Sequence, residues 1–158
     1  MSASYAVRVA QDPADREACF AVRKEVFVSE QQVPEDLEYD AYDADAVHVL
    51  AVREDGVPIG AGRLLYGAAA VAKTGGDPGV GSLGRLAVLK SARGLGVGIA
   101  LVQGIEDAAR ARGLTAVDLH AQTHALGFYE RLGYVAYGPE YLEAGIPHQA
   151  MRRSLQPL

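Results

Sequence analysis

The chain has 158 residues, about half of them hydrophobic and 22% charged, with a formal net charge of −5. That size fits one domain, residues 1–158, able to bury a core without disulfide or metal staples. The negative balance excludes duplex nucleic acid as the main partner, because phosphate binding needs clustered Lys and Arg.

The opening Met1-Ser2-Ala3-Ser4-Tyr5 has no charged region followed by an apolar one, so no signal peptide is expected. Residues 5–10 alternate as a strand does. Asp12-Pro13 then supplies an N-cap and a first helical residue, and residues 14–28 carry Ala18, Ala21, Val22 and Val26 at helical spacing. The single cysteine, Cys19, lies in this helix, cannot close an internal disulfide, and reads as a packed thiol suited to a reducing cytoplasm. Residues 29–45 are polar and acidic, with a helix break at Pro34. Residues 46–53 and 57–66 are apolar runs around Glu54-Asp55-Gly56, a hairpin signal. Residues 67–81, rich in Gly and Ala, read as a long mobile loop.

Residues 80–89 form the next predicted strand, centred on Leu86-Ala87-Val88. A helix follows over 94–113, with Ile99, Val102, Ile105 and Ala109 on one face, Glu106, Asp107 and Arg110 on the other, and Gly113 as its stop. Residues 114–121 read as a strand, 124–132 as a short helix stopped by Gly133, 134–137 as a strand, and 149–155 as the final strand. Antiparallel hairpins followed by a βαβ crossover predict an α/β (α+β) fold with a mixed, mostly antiparallel central sheet flanked by helices. No run approaches the ~20 apolar residues of a membrane span, so a cytoplasmic protein without a membrane partner is expected.

Between the predicted strand and helix lies Arg93-Gly94-Leu95-Gly96-Val97-Gly98. The first N–H groups of a helix lack internal partners and its dipole makes that end positive, so a glycine turn there suits an anion. Arg93 adds a charge-assisted donor. A Walker A loop would need Lys-Ser/Thr after the last glycine, but Ile99 follows Gly98. A dinucleotide fingerprint would need Gly or Ala where Ile99 or Leu101 stands. The spacing Arg-x-x-Gly-x-Gly, met by Arg93, Gly96 and Gly98, resembles the pyrophosphate loop of the GNAT acetyltransferase superfamily.

The segment Ala121-Gln122-Thr123-His124-Ala125-Leu126-Gly127-Phe128-Tyr129 is similar to the second cofactor segment of that superfamily. The residues Glu25-Val26-Phe27-Val28, Glu30-Gln31, Val33-Pro34, Asp36-Leu37-Glu38, Asp40, Asp43, His48 and Gly145-Ile146-Pro147-His148 resemble the ElaA/YjcF-like branch. Together these motifs span nearly the whole chain. The resemblance implies acetyl-CoA as cosubstrate, held by the backbone of Leu86, Ala87 and Val88, by residues 93–98, and by Gln122 and Phe128. It implies Tyr129 as the general acid to the CoA thiolate, a role a phenol can fill, and Val88 N–H as donor to the acetyl carbonyl.

The acceptor is expected to be a small amine or a peptide amine. Deprotonating it needs a base, for which Glu30, Glu38, Asp40, His120 and His148 are candidates. Glu30 or Glu38, acting through water, is favoured. The acidic run 36–45 either attracts a cationic acceptor or is a solvated face; Ala41 and Val47 stand where an EF-hand needs Gly and Glu. His120 and His124 lack a third ligand, so no metal is expected. Val80 stands where a nucleophile elbow around Ser82 needs Gly. An acyl-CoA-binding module without catalysis and a nucleotide-binding protein are the alternatives, and the protein is expected to be a monomer or homodimer.

Overall fold

The computed structural model describes residues 4–156. Met1 to Ala3, the start of the segment read for a leader, lie outside them. Among the described residues the strands and α-helices run in the order β1 Tyr5–Val9, α1 Pro13–Arg23, α2 Glu35–Glu38, β2 Val47–Arg53, β3 Pro58–Leu65, α3 Ala68–Thr74, β4 Val80–Val88, α4 Val97–Ala111, β5 Ala116–Gln122, α5 Leu126–Glu130, β6 Val135–Glu143 and β7 Ile146–Ser154. The strands form one mixed sheet in the order β1-β2-β3-β4-β5-β7-β6. Every pair is antiparallel except β4 and β5.

Residue alternation along the strands divides the core into two layers. Val47, Val49 and Ala51 face α4, whose Leu101, Val102 and Ile105 are fully buried. Leu50, Ala61 and Ala87 face α1, whose Cys19 and Val22 are buried. Each large side chain so buried contributes about 1.5–3 kcal/mol. Asp12 caps α1 as its sequence predicts, its carboxylate accepting from Asp15 N–H at 2.8 Å. Burial pushes the Cys19 thiol up to about 12, which leaves it inert at neutral pH.

The α-helix of α1 ends sooner than its apolar spacing predicts. From Lys24 to Glu30 the chain winds as a π-helix; the wider turn changes which residues face the sheet and delivers Glu30 beside residue 93. The segment 67–81 is not a loop. Its alanines, the strongest helix formers, build α3, which buries Ala70 against Ala46 and Leu65 and closes on Gly75 in the left-handed conformation. Strand β6 runs to Glu143 rather than stopping at Tyr137, because a bulge between Tyr137 and Tyr141 absorbs Gly138. The Gly145-Ile146-Pro147-His148 segment is a hairpin, turning at Ala144 and Gly145 with positive φ at both.

One feature of the sheet sets its two central strands apart. The parallel pairing of β4 with β5 stops at Leu83 and Leu119. Beyond it β4 stays paired only with β3, through Ala87 and Val88, and β5 only with β7, through residues 120–122. A register shift in the β3–β4 ladder, with Arg85 held at φ +52°, bends β4 away. The two strands therefore open as a wedge, each presenting a main-chain edge to the other.

Candidate active site

The open edge of β4 carries free donors. Leu89 N–H donates to Ile59 of β3 at 2.9 Å, so by strand alternation Val88 and Leu86 turn their N–H and C=O groups away from β3, into the wedge. The Val88 carbonyl is already engaged there, accepting from Arg93 Nε at 3.0 Å. The chain then passes through a short turn over Lys90–Ala92 into residues 93–98 and α4.

The glycines of this turn serve two purposes. Gly94 and Gly96 sit at φ +85° and +78°, a region that costs other residues about 1–2 kcal/mol. Gly98 lies inside α4, and a β-carbon there would come within 3.3 Å of the Phe128 ring. Its bareness therefore admits Phe128 as well as exposing the main chain. Among the described residues no side chain caps the N-terminus of α4, which leaves its first N–H groups without an internal partner beside Leu95, whose carbonyl accepts from the Tyr5 hydroxyl at 3.3 Å.

Across the wedge, Phe128 and Tyr129 pack edge to face at 5.0 Å. Tyr129 is buried in the α4 layer, and its hydroxyl has no hydrogen-bond partner among the described residues. Burial pushes the phenol up to about 12, so it keeps its proton throughout the neutral range. Gln122 ends β5, and its side-chain oxygen is 2.6 Å from His124 Nε2.

The two carboxylates predicted as bases are both held by arginines. Glu30 and Arg93 form a two-pronged pair at 2.7 Å, and the Arg93 hydrogen bonds hold the Glu30 carboxyl below the usual range. Arg93, predicted to grip the pyrophosphate, thus ties the π-helical segment to the glycine turn. Glu38 is buried, 2.6 Å from Arg23 Nε.

Glu38 belongs to a network no local pattern suggested. The fully buried Arg23 also donates to both carboxylate oxygens of Asp43, at 2.7 and 3.0 Å. Arg63, equally buried, bridges Asp43 and Asp40 at 3.0 and 2.7 Å. Arg85 reaches Asp40 at 3.1 Å and the Glu38 carbonyl at 3.0 Å. Burial alone would push the Asp43 carboxyl up, but Arg23, the Asp40 N–H and Arg63 outweigh it and hold it at about 2. The acidic run is therefore neither a solvated face nor a bare attractor for cations, since its central charges are matched by three arginines. The one sequence signal was Arg23 itself, a cation on the apolar face that carries Cys19 and Val26. Glu106, predicted on the polar face of its helix, is likewise buried, bonded to the Tyr134 hydroxyl at 2.8 Å and to Arg153 at 2.9 Å. Among the described residues no cluster of His, Cys, Asp or Glu is arranged to hold a metal, and no helix is long and apolar enough to cross a membrane.

A parted parallel pair whose open β4 edge leads into a glycine turn, within a seven-stranded mixed sheet covered by helices, defines the acyl-CoA N-acyltransferase fold. Residues 9–155 match the acetyltransferase (GNAT) domain, and the chain belongs to that family. It is 38% identical over 146 residues to YjcF of Bacillus subtilis, an uncharacterized N-acetyltransferase, covering 92% of this chain and 96% of the relative. Its fold overlays an acyl-CoA N-acyltransferase of Pseudomonas aeruginosa with a TM-score of 0.78 at 34% identity, covering 96% and 99% of the two chains. Escherichia coli ElaA overlays with a TM-score of 0.77 at 26% identity and the same coverage. The branch expected from the terminal motifs is thus the one the chain falls in. Membership places the chain among acyltransferases that draw on an acyl-CoA donor.

Proposed function

We propose that residues 1–158 act as one N-acetyltransferase domain, moving the acetyl group of acetyl-CoA directly to a primary amine of a small molecule or peptide. The observation that carries this reading is the open β4 edge running into the glycine turn. Main-chain groups of Leu86, Ala87 and Val88 pair with the pantetheine arm. The outward Val88 N–H polarises the acetyl carbonyl and stabilises the oxyanion that forms when the amine attacks. The N–H groups of residues 94–98 receive the pyrophosphate, and Arg93 exchanges Glu30 for it, one anion for another. Gln122 and Phe128 line the opposite wall of the wedge. Tyr129 returns a proton to the departing thiolate.

The reading is tested by free-thiol release from acetyl-CoA across a panel of primary amines. Release that depends on one class of acceptor is expected. Tight acetyl-CoA binding without turnover for any amine would favour an acyl-CoA-binding module on the same fold. Thermal stabilisation by ATP or NAD but not by CoA would sink the transferase reading altogether.

A further inference from the structure

With Glu38 buried against Arg23 and Glu30 lying beside the glycine turn proposed to receive the pyrophosphate, the amine's proton needs another exit. The residue just past the point where β5 leaves β4 is His120. Its ring turns away from α4, toward the face that carries α1 and α3, and is partly exposed. Its Nδ1 bonds the hydroxyl of Tyr141 on β6. Its Nε2 is 3.5 Å from Asp118 Oδ1 and 3.4 Å from the Lys73 carbonyl of α3.

Asp118 is fully buried. Its Oδ2 accepts from Arg152 Nε at 3.0 Å and from the Tyr137 hydroxyl. Among the described residues its Oδ1 is buried without a hydrogen-bond partner, and such an orphan in a protein interior is costly. Among the described residues, the group facing Oδ1 at ion-pair range is His120 Nε2. These partners select the His120 tautomer: two acceptors surround Nε2, which therefore carries the proton, and Nδ1 accepts from Tyr141. The remaining charged and titratable neighbours stand behind Tyr141, where the His148 ring stacks at 5.8 Å and Glu143 lies 3.7 Å from His148 Nε2.

We propose that Tyr141, His120 and Asp118 form the proton exit for the acceptor amine. The inference rests on the acetyl-transfer reading above. The ammonium form of the acceptor gives one proton to the Tyr141 oxygen while the Tyr141 hydroxyl gives its own to His120 Nδ1. The amine keeps its electron pair for attack on the acetyl carbon, Tyr141 ends as a phenol, and His120 becomes an imidazolium facing the Asp118 carboxylate. Its partly exposed ring then returns the proton to water. Tyr141 touches the substrate; His120 receives the proton; Asp118 is a positioning residue whose unpaired oxygen stabilises the charged ring. Imidazole suits the task because one ring nitrogen can accept a proton while the other already holds one.

The test uses the best amine from the acceptor panel, with kcat/KM followed across roughly pH 5.5 to 9.5. Wild-type activity is expected to fall on the acid side, with a limb that vanishes in His120→Gln. His120→Gln and Tyr141→Phe should each lose about 100-fold in kcat with a strongly basic amine, at unchanged KM for acetyl-CoA. Both should recover most of that loss with an aromatic amine that is already neutral. Equal losses with both amines, or an unaltered acid limb, would overturn the relay while leaving acetyl transfer standing. Nitrogen-15 spectra of the imidazoles supply a readout independent of turnover: His120 should carry its proton on Nε2, and Asp118→Asn should lower its titration midpoint. A Nδ1-protonated ring, or a midpoint that does not move, sinks the relay even in an active enzyme. Absence of transfer to every amine removes the reaction and the relay with it.

Discussion

The two faces of the wedge between β4 and β5 are made from different materials. Toward α4 the groups proposed to bind are main chain: the outward N–H groups of Leu86 and Val88, and the uncapped end of α4 after Gly94 and Gly96. Toward α1 and α3 the polar groups are side chains gathered from across the fold: Arg23, Glu38, Asp43, Arg63 and Arg85, and on β5 and β6 Asp118, His120 and Tyr141. Main-chain donors survive substitution of almost any side chain, so the cosubstrate role proposed for the first face asks only geometry and bareness of it. The second face is defined residue by residue, and the proposed function assigns it the discrimination among acceptors.

The largest expected effect comes from breaking the second face at its centre. Arg23→Met removes the cation that neutralises Glu38 and Asp43 while keeping most of the buried volume. Stranding buried carboxylates in this way should cost about 3–5 kcal/mol of unfolding free energy, read by urea denaturation, with acetyl-CoA affinity per folded molecule nearly unchanged. A loss under about 1 kcal/mol would mean that water reaches the network and that it is not a dry ion-pair cluster.

Gly96→Glu is the converse experiment on the first face. A carboxylate would stand where the pyrophosphate is proposed to lie, and like charges at contact cost several kcal/mol. CoA affinity should drop at least ~100-fold by calorimetry, whereas stability should fall only by the roughly 1–2 kcal/mol that a left-handed residue other than glycine costs. Gly96→Ala carries that strain without the charge. If it weakened CoA as much as Gly96→Glu, repulsion would not be the cause.

Between the two faces stands Tyr129, on the α4 side by packing and proposed above as a side-chain proton donor. Tyr129→Phe should lower kcat by about 100-fold, the scale of losing a general acid, and leave the acetyl-CoA dissociation constant in place. Because burial raises this phenol to about 12, it should contribute no limb to the pH–rate profile below that value. Unchanged turnover in the phenylalanine variant would remove Tyr129 from the mechanism.

The contrast between the faces also explains what could be read in the sequence. The glycine turn is contiguous, and its strand-before, helix-after context follows from local periodicity, so residues 93–98 were legible. The ion-pair network was not: Arg23 meets partners 15 and 20 positions away, and Arg85 meets Asp40 at a separation of 45. Nothing local says which arginine answers which carboxylate. Glu106 shows the same limit. Its spacing put it with Asp107 and Arg110 on a polar face, yet a distant tyrosine and arginine give it a buried place. Residues 67–81 failed for another reason, because glycine-rich ends hid a run of alanines that helical propensity alone should have claimed.

The smallest effect sharpens the comparison by titrating a single carboxylate of the second face. Asp43 is held at about 2, below its ordinary 3.8. A carboxylate depressed on folding contributes fully above its unfolded value and loses that contribution as the pH falls through the folded one. Acidification from pH 5 to pH 2 should therefore remove about 2 kcal/mol through Asp43. In Asp43→Asn, less stable at every pH, the difference in unfolding free energy between those two conditions should shrink by that amount. Amide exchange locates the loss: the N–H groups of residues 40–44 should begin to open in acid while those of α4 around Leu101 and Val102, about a turn before the buried Glu106, stay protected. Opening of α4 in step with residues 40–44 would show that the two faces unfold as one unit and that their different construction has no consequence for stability.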